Sequence, residues 1–183
     1  LAHNENRIQK ISESLKAYND RVKDHFANSN RFDGSNTQPF TQYVEGGSQT
    51  SIWGVPSLGI DPATGEEIFI RPDGSITNTW NTNDQVVLGD TEPKIQGTFG
   101  LNATYKNLSL YMTFMYEAGG QIYNSTLRDK VEDVNVYTSN VDKRVFFERW
   151  QEPGDKARYR KLTSGVGGSI MRTRPTSRFV EDN

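Results

Sequence analysis

The sequence contains no cysteine and only two histidines, His3 and His25. Without thiols there is no disulfide scaffold, no thiolate zinc site and no cysteine nucleophile. Two histidines far apart cannot build a His-rich metal centre, and a Ser-His-Asp triad would have to recruit one of them. Both are expected at the surface. Charge of one sign is not in excess either: 21 Lys and Arg face 23 Asp and Glu, a formal net charge of −2. Polyanion binding needs a positive field, so no nucleic-acid partner is expected. No apolar run exceeds three residues, as in Ile68-Phe69-Ile70 and Val86-Val87-Leu88. A helical membrane span needs about 20 mostly apolar residues, which excludes that class. The strands of a membrane β-barrel alternate and never form such a run, so that class stays open.

What is present is polar. Hydrophobic residues make up 33% of 183 residues and the mean hydropathy is −0.75. Aromatics, at 11%, are numerous for so polar a chain, which suits interfaces. There is no internal repeat. The sequence opens at Leu1 without an initiator methionine or signal peptide, and reads as a mature or partial chain.

Ile8, Ile11, Leu15, Tyr18, Val22 and Phe26 recur at spacings of three and four, an amphipathic helical stripe. Residues 27–51 and 77–84 have loop composition, rich in Asn, Thr, Ser and Gly. Between them, alternation over 67–71, a Pro72-Asp73-Gly74 turn and a return over 75–78 predict a hairpin. Short helices are expected over 126–134 and 142–150, the second stopped by Pro153-Gly154. Residues 163–178 are rich in Gly, Ser, Thr and Arg.

The strongest pattern lies over residues 96–117. Phe99, Leu101, Ala103 and Tyr105 share one face of a strand, opposite Thr98, Gly100, Asn102 and Thr104. After Lys106-Asn107, Leu108, Leu110, Met112, Phe114 and Tyr116 share a face of the next strand. A two-residue turn pairs 105 with 108, 103 with 110, 101 with 112 and 99 with 114, so every apolar residue falls on one side. Asn107 is expected to take the left-handed conformation of the turn. Each strand has about the ten residues that cross a membrane at a tilt. The nine apolar-face residues from Phe99 to Tyr116 are thus candidates for facing lipid. A soluble hairpin with one core face and one wet face has the same pattern.

The order of short motifs resembles the C-terminal third of SusC/RagA-type TonB-dependent outer-membrane transporters. The matching elements begin with Asn4-Glu5-Asn6-Arg7-Ile8 and Gly59-Ile60-Asp61-Pro62-Ala63-Thr64-Gly65. Asp73-Gly74, Val87-Leu88-Gly89-Asp90-Thr91-Glu92-Pro93-Lys94 and Tyr105-Lys106-Asn107-Leu108-Ser109-Leu110 follow. Then come Gly119-Gly120-Gln121-Ile122-Tyr123-Asn124, Arg149-Trp150-Gln151-Glu152-Pro153-Gly154-Asp155 and Thr176-Ser177-Arg178-Phe179-Val180. No single motif is specific; their order and spacing over nearly the whole chain are.

The resemblance implies an all-β fold. Residues 1–183 would be an incomplete segment of an antiparallel transmembrane barrel of about 22 strands, with long extracellular loops carrying short helices. The family's plug domain, TonB box and remaining strands would lie outside it. Implied partners are a SusD-like surface lipoprotein, outer-membrane lipid, an oligosaccharide or peptide substrate, and TonB through those other parts. The implied location is the cell outer membrane. The family pattern makes the start a strand, so a strand to about residue 9 and a helix over 12–26 are expected.

Side-chain chemistry adds little. The segments at Asp61 and Asp73 have the oxygen composition of a calcium loop, but their spacing does not fit one, and turn formation is the simpler account. Glu66, Glu67, Glu148 and Glu152 carry the groups of a glycosidase without any placement of two at the required separation; they are read as surface or salt-bridged acids. Glu148, Arg149, Asp155 and Arg144 are candidates for one ion-pair cluster. Trp53, Trp80 and Trp150 are candidate ligand contacts, since an indole face stacks on a sugar ring; local packing is the competing account. No catalytic residue, metal or cofactor is expected, and the chain is not read as an enzyme. The alternative function is a soluble β-rich carbohydrate-binding or adhesive surface domain, which requires a protein layer over the hairpin's apolar face.

Overall fold

The computed structural model describes residues 2–3, 5–28, 36–162 and 170–182. Parts of two expected loops, 29–35 and 163–169, lie outside the described residues. In chain order the elements are β1 (Ala2–His3), α1 (Glu13–Asn28), β2 (Ser51–Gly54), β3 (Ser57–Ile60), β4 (Glu67–Ile70), β5 (Ile76–Thr77), β6 (Val86–Asp90), β7 (Ile95–Tyr105), β8 (Leu108–Ala118), β9 (Gln121–Tyr123), α2 (Ser125–Leu127), α3 (Arg144–Phe147) and β10 (Val180–Asp182).

Four antiparallel sheets form: β1-β7-β8, β2-β6, β3-β4-β5 and β9-β10. None is closed. This is an all-β architecture of open sheets, with short helices in the connections, as expected for an incomplete barrel segment. The β4–β5 hairpin turns at Pro72-Asp73-Gly74, where Asp73 accepts from the Ser75 amide at 2.8 Å.

The long hairpin has the register that the pattern demanded. Tyr105 pairs with Leu108, Ala103 with Leu110, Leu101 with Met112 and Phe99 with Phe114. Both strands are 11 residues long. The turn differs from expectation: Lys106, with φ of 52°, takes the left-handed conformation, and Asn107 does not. A two-residue loop needs positive φ at its first central position in either favoured turn type, and here that position is Lys106.

The start of the chain also differs. Among the described residues before the helix, Ala2 and His3 join a sheet, opposite Gln96 and Ile95, and residues 5–9 do not. The helix begins at Glu13, within a residue of the expected start, and runs to Asn28. Ser12 caps it, with its backbone carbonyl accepting from Leu15 and Lys16 at 3.1 Å. Ile8 keeps its place in the apolar stripe without being helical: it is buried, and its backbone exchanges two 2.8 Å bonds with Gly46 and Gly47. A β-type partner thus overrides helical spacing where the loop supplies one.

The expected helix over 126–134 is a single turn, α2, followed by a π-helical turn from Arg128 to Glu132. That over 142–150 shrinks to α3, because the chain at Arg149 turns aside to bridge Tyr159. A core of Leu127, Val131, Val134, Val145, Tyr159 and Phe179 joins these turns to the segment before β10, with Tyr123 against it. A second cluster packs Phe26 of α1 edge-on against Phe40 (5.5 Å) and at a tilt against Trp80 (5.4 Å).

Candidate functional site

Two surfaces emerge from these elements. The first is the hairpin wall. Phe99 and Phe114 stack across the strands at 4.9 Å, 16° from parallel. Tyr116 lies over Gly97, where a Cβ would come within 2.6 Å of its hydroxyl, so the missing side chain is what admits the ring. Yet Phe99 is 59% exposed, Leu101 50%, Leu110 47% and Phe114 45%. Ala103, Tyr105, Leu108 and Tyr116 are exposed as well, and Met112 is half-buried. Among the described residues no protein layer covers this apolar face. The other face carries Thr104 beside Ser109, with exposed Tyr111 and Met115.

The second surface is the loop body, held by a chain of buried charges. Arg178 grips Glu67 with two bonds, 2.9 and 3.0 Å, and reaches Glu132 at 2.7 Å. Arg160 approaches the same Glu132 oxygen at 3.4 Å and bonds Asp133 at 2.9 Å. Asp133 also accepts from the Thr173 amide and hydroxyl at 2.7 Å. Buried Arg149 donates to the carbonyls of Arg160, Val131 and Glu132. Strand β4, the π-helical turn and the segments at 149, 160, 173 and 178 are thereby locked together. Burial works against the charge of Glu67, but Arg178 holds its carboxyl below the ordinary range. Burial wins at Glu132 and raises it, despite Arg178 and Arg160. Burial likewise lowers Arg149.

The sign of the Glu132 shift gives a prediction. A carboxyl raised on folding stabilises fully below its unfolded value, near the ordinary 4.5, and that contribution is lost as pH rises through the folded value. Glu132→Gln is neutral throughout. The denaturation midpoint of the intact parent, measured against E132Q, is expected to fall as pH rises above about 4.5. A difference that grows with pH would contradict this.

The expected ion-pair cluster does not form. Arg149 is taken by carbonyls, Arg144 pairs with Asp142, Asp155 accepts from the amides of Gln151 and Glu152, and Glu148 stands 4.0 Å from Arg158. Sequence proximity on a supposed helix placed these groups together; the turn at Arg149 separates them. Glu66 pairs with Lys161 at 3.0 Å. Asp61 accepts from the Ala63 amide and the Thr64 hydroxyl, so turn formation accounts for its carboxylate. His3 is exposed and its Nδ1 lies 3.0 Å from the Lys94 carbonyl; His25 is half-buried against Phe40.

The three tryptophans are dispersed. Trp53 lies in β2, opposite Val87. Trp80 donates to the Pro175 carbonyl at 3.1 Å, with Arg174 over its ring at 4.8 Å. Trp150 donates to the Pro62 carbonyl at 2.9 Å. Its ring lies against Gly65, whose φ of 71° and whose lack of a Cβ both permit the approach. Trp150 lines a cleft of about 430 Å³ with Phe146, Gln151 and Leu162. A polar cleft of about 580 Å³, lined by Glu148, Glu152, Asp155 and Lys156, lies on the other side of Gln151. The buried charge chain escaped sequence reading. Its one signal was Glu132-Asp133 sitting between Val131 and Val134, acids inside an apolar pattern that need internal cations.

No protein-family model matches the chain, and no curated protein does. Among solved structures it is similar to a chain of the RagAB peptide transporter: TM-score 0.61, 22% identity, 82% of this chain and 17% of that one. It is similar to chains of the RagAB peptide importer in the "open-open" state (TM-score 0.57, 24% identity, 75% and 15% coverage) and in the "closed-closed" state (0.58, 22%, 76% and 15%). The chain thus spans about a sixth of the length of these proteins, and what it shares with them is fold.

Proposed function

We propose that these residues are a wall-and-loop segment of a SusC/RagA-type outer-membrane importer of oligosaccharides or peptides. The observation that carries the reading is the β7–β8 hairpin. Its strands are long enough to cross a membrane, its apolar side chains share one face, and that face is uncovered among the described residues. The fold likeness to chains of a peptide transporter supports it. So does the outer edge of β8, which no described strand pairs, since unpaired strand edges do not face lipid and call for neighbouring strands. The soluble carbohydrate-binding alternative needs a layer over Phe99, Leu101, Leu110 and Phe114, and no described residue supplies it.

In this reading the hairpin is wall, with Phe99, Leu101, Ala103, Tyr105, Leu108, Leu110, Met112, Phe114 and Tyr116 facing lipid. The loop body, stiffened by its buried charges, presents binding surface outside the cell. Trp150, in its cleft, is the tryptophan best placed to stack on cargo; Trp53 and Trp80 support neighbouring segments. A SusD-like lipoprotein closes over the loops. A plug and a TonB contact, in parts of the transporter beyond these residues, supply gating and energy.

These 183 residues contain no cysteine, so a thiol introduced here competes with none within them. Fluorophores on Leu101→Cys and Leu110→Cys of the intact protein in lipid are expected to be quenched by nitroxide-bearing lipid. Those on Asn102→Cys and Tyr111→Cys are expected to be quenched by a charged aqueous reagent instead. Aqueous quenching at all four would reject the wall.

A further inference from the structure

We propose that the cleft between α1 and Phe40 binds a ligand carrying an apolar group and a carboxylate close together. The cleft measures about 420 Å³ and is lined by Tyr18, Arg21, Val22, His25 and Phe40. The four helical residues follow i, i+3, i+4 and i+7 spacing, so they present one face.

The walls are set before any ligand arrives. Phe40 stands edge-on to His25 at 5.3 Å and to Phe26 at 5.5 Å. Phe26 is fully buried and rests on Trp80. Tyr18 packs on Tyr43 at 5.7 Å. Asn19 clamps the opposing loop to the helix with two bonds to the Tyr43 backbone, 2.7 and 2.9 Å. Val22, 5% exposed, is the floor. Such a fixed apolar slot accepts a ring or branched alkyl group at little ordering cost.

Arg21 gives the slot its polarity. It is exposed at the lip and makes no hydrogen bond or ion pair with any described residue. On the helix, Asp20 and Asp24 lie on the far side of Arg21 from Tyr18 and Val22, so the guanidinium is the charge that borders the slot. A planar guanidinium beside an apolar slot suits a carboxylate held next to an apolar group, through paired N–H bonds. That chemistry is offered by the C-terminal residue of a peptide ending in an apolar side chain, and by a small aryl-alkyl acid.

The test is titration of the intact protein in lipid nanodiscs. The probes are acetyl-Gly-Phe, its C-terminal amide and 3-phenylpropionate. Acetyl-Gly-Phe is expected to bind saturably, with the amide at least tenfold weaker. Arg21→Ala is expected to weaken the acid at least tenfold and the amide little, with Lys23→Ala unchanged. Val22→Trp, which fills the slot, is expected to abolish binding of both. Binding of 3-phenylpropionate within tenfold of the peptide supports the site with a free acid as its ligand; binding of the peptide alone supports it with a peptide terminus. Equal affinity for acid and amide, indifference to Arg21→Ala, or no saturable binding overturns the proposal. The inference goes beyond the importer reading and does not rest on it: lipid quenching at Leu101 and Leu110 can stand while the slot proves empty, and the reverse.

Discussion

Replacing Arg178 by Ala is expected to destabilise the loop body by about 3–5 kcal/mol, because it strands two buried carboxylates at once. Glu67 loses a two-bond partner at 2.9 and 3.0 Å, and Glu132 loses its closest cation. Neither carboxylate reaches water in the native fold; their side chains are 6% and 0% exposed. One guanidinium therefore compensates more than one charge. The readout is the denaturation midpoint of the intact protein, with limited proteolysis reporting the loops. Glu67→Gln should cost less, since a neutral amide needs no counter-charge, and the two changes together should fall well short of additive. A loss below about 1 kcal/mol for R178A would mean that water reaches these groups and that the pairs behave as surface pairs.

The second large effect is expected on the hairpin. Leu101→Arg is expected to cost about 2–4 kcal/mol of folding free energy in a bilayer, the range for a charge at mid-membrane on a barrel's outer face. Leu101 lies near the middle of β7, opposite Met112, so its side chain has a long way to reach either interface. Asn102→Arg, one residue along and on the other face, should cost far less. The pair distinguishes the two environments that the pattern leaves open. In water, Leu101 is already half exposed, and an arginine there would fall within about 0.5 kcal/mol of the parent. Equal, small effects at 101 and 102, measured by reversible folding into lipid vesicles, would remove the wall from consideration.

These expectations also show where sequence was legible. The hairpin was readable to the residue, because period-two alternation on both strands leaves a single register that keeps Phe99, Leu101, Leu110 and Phe114 together. The Pro72-Asp73-Gly74 turn was readable because its chemistry is local. Turn details failed where two neighbours compete for one special conformation, as Lys106 and Asn107 do. Element limits failed where a distant backbone offers bonds: the first strand stops at His3 while Ile8 bonds Gly46 and Gly47, and the helix expected to residue 150 stops where Trp150 donates to Tyr159.

The sequence by itself determined the long hairpin and its two faces, which follow from alternation along two adjacent strands joined by a two-residue turn; the all-β class came with the family resemblance. Only the tertiary structure decided how the charges are spent. The partners Glu67 and Arg178 are separated by 111 residues, and Asp133 and Thr173 by 40. Nothing in local spacing links such groups. The attraction between them acts through a low-dielectric interior that exists only once the loops have folded over it.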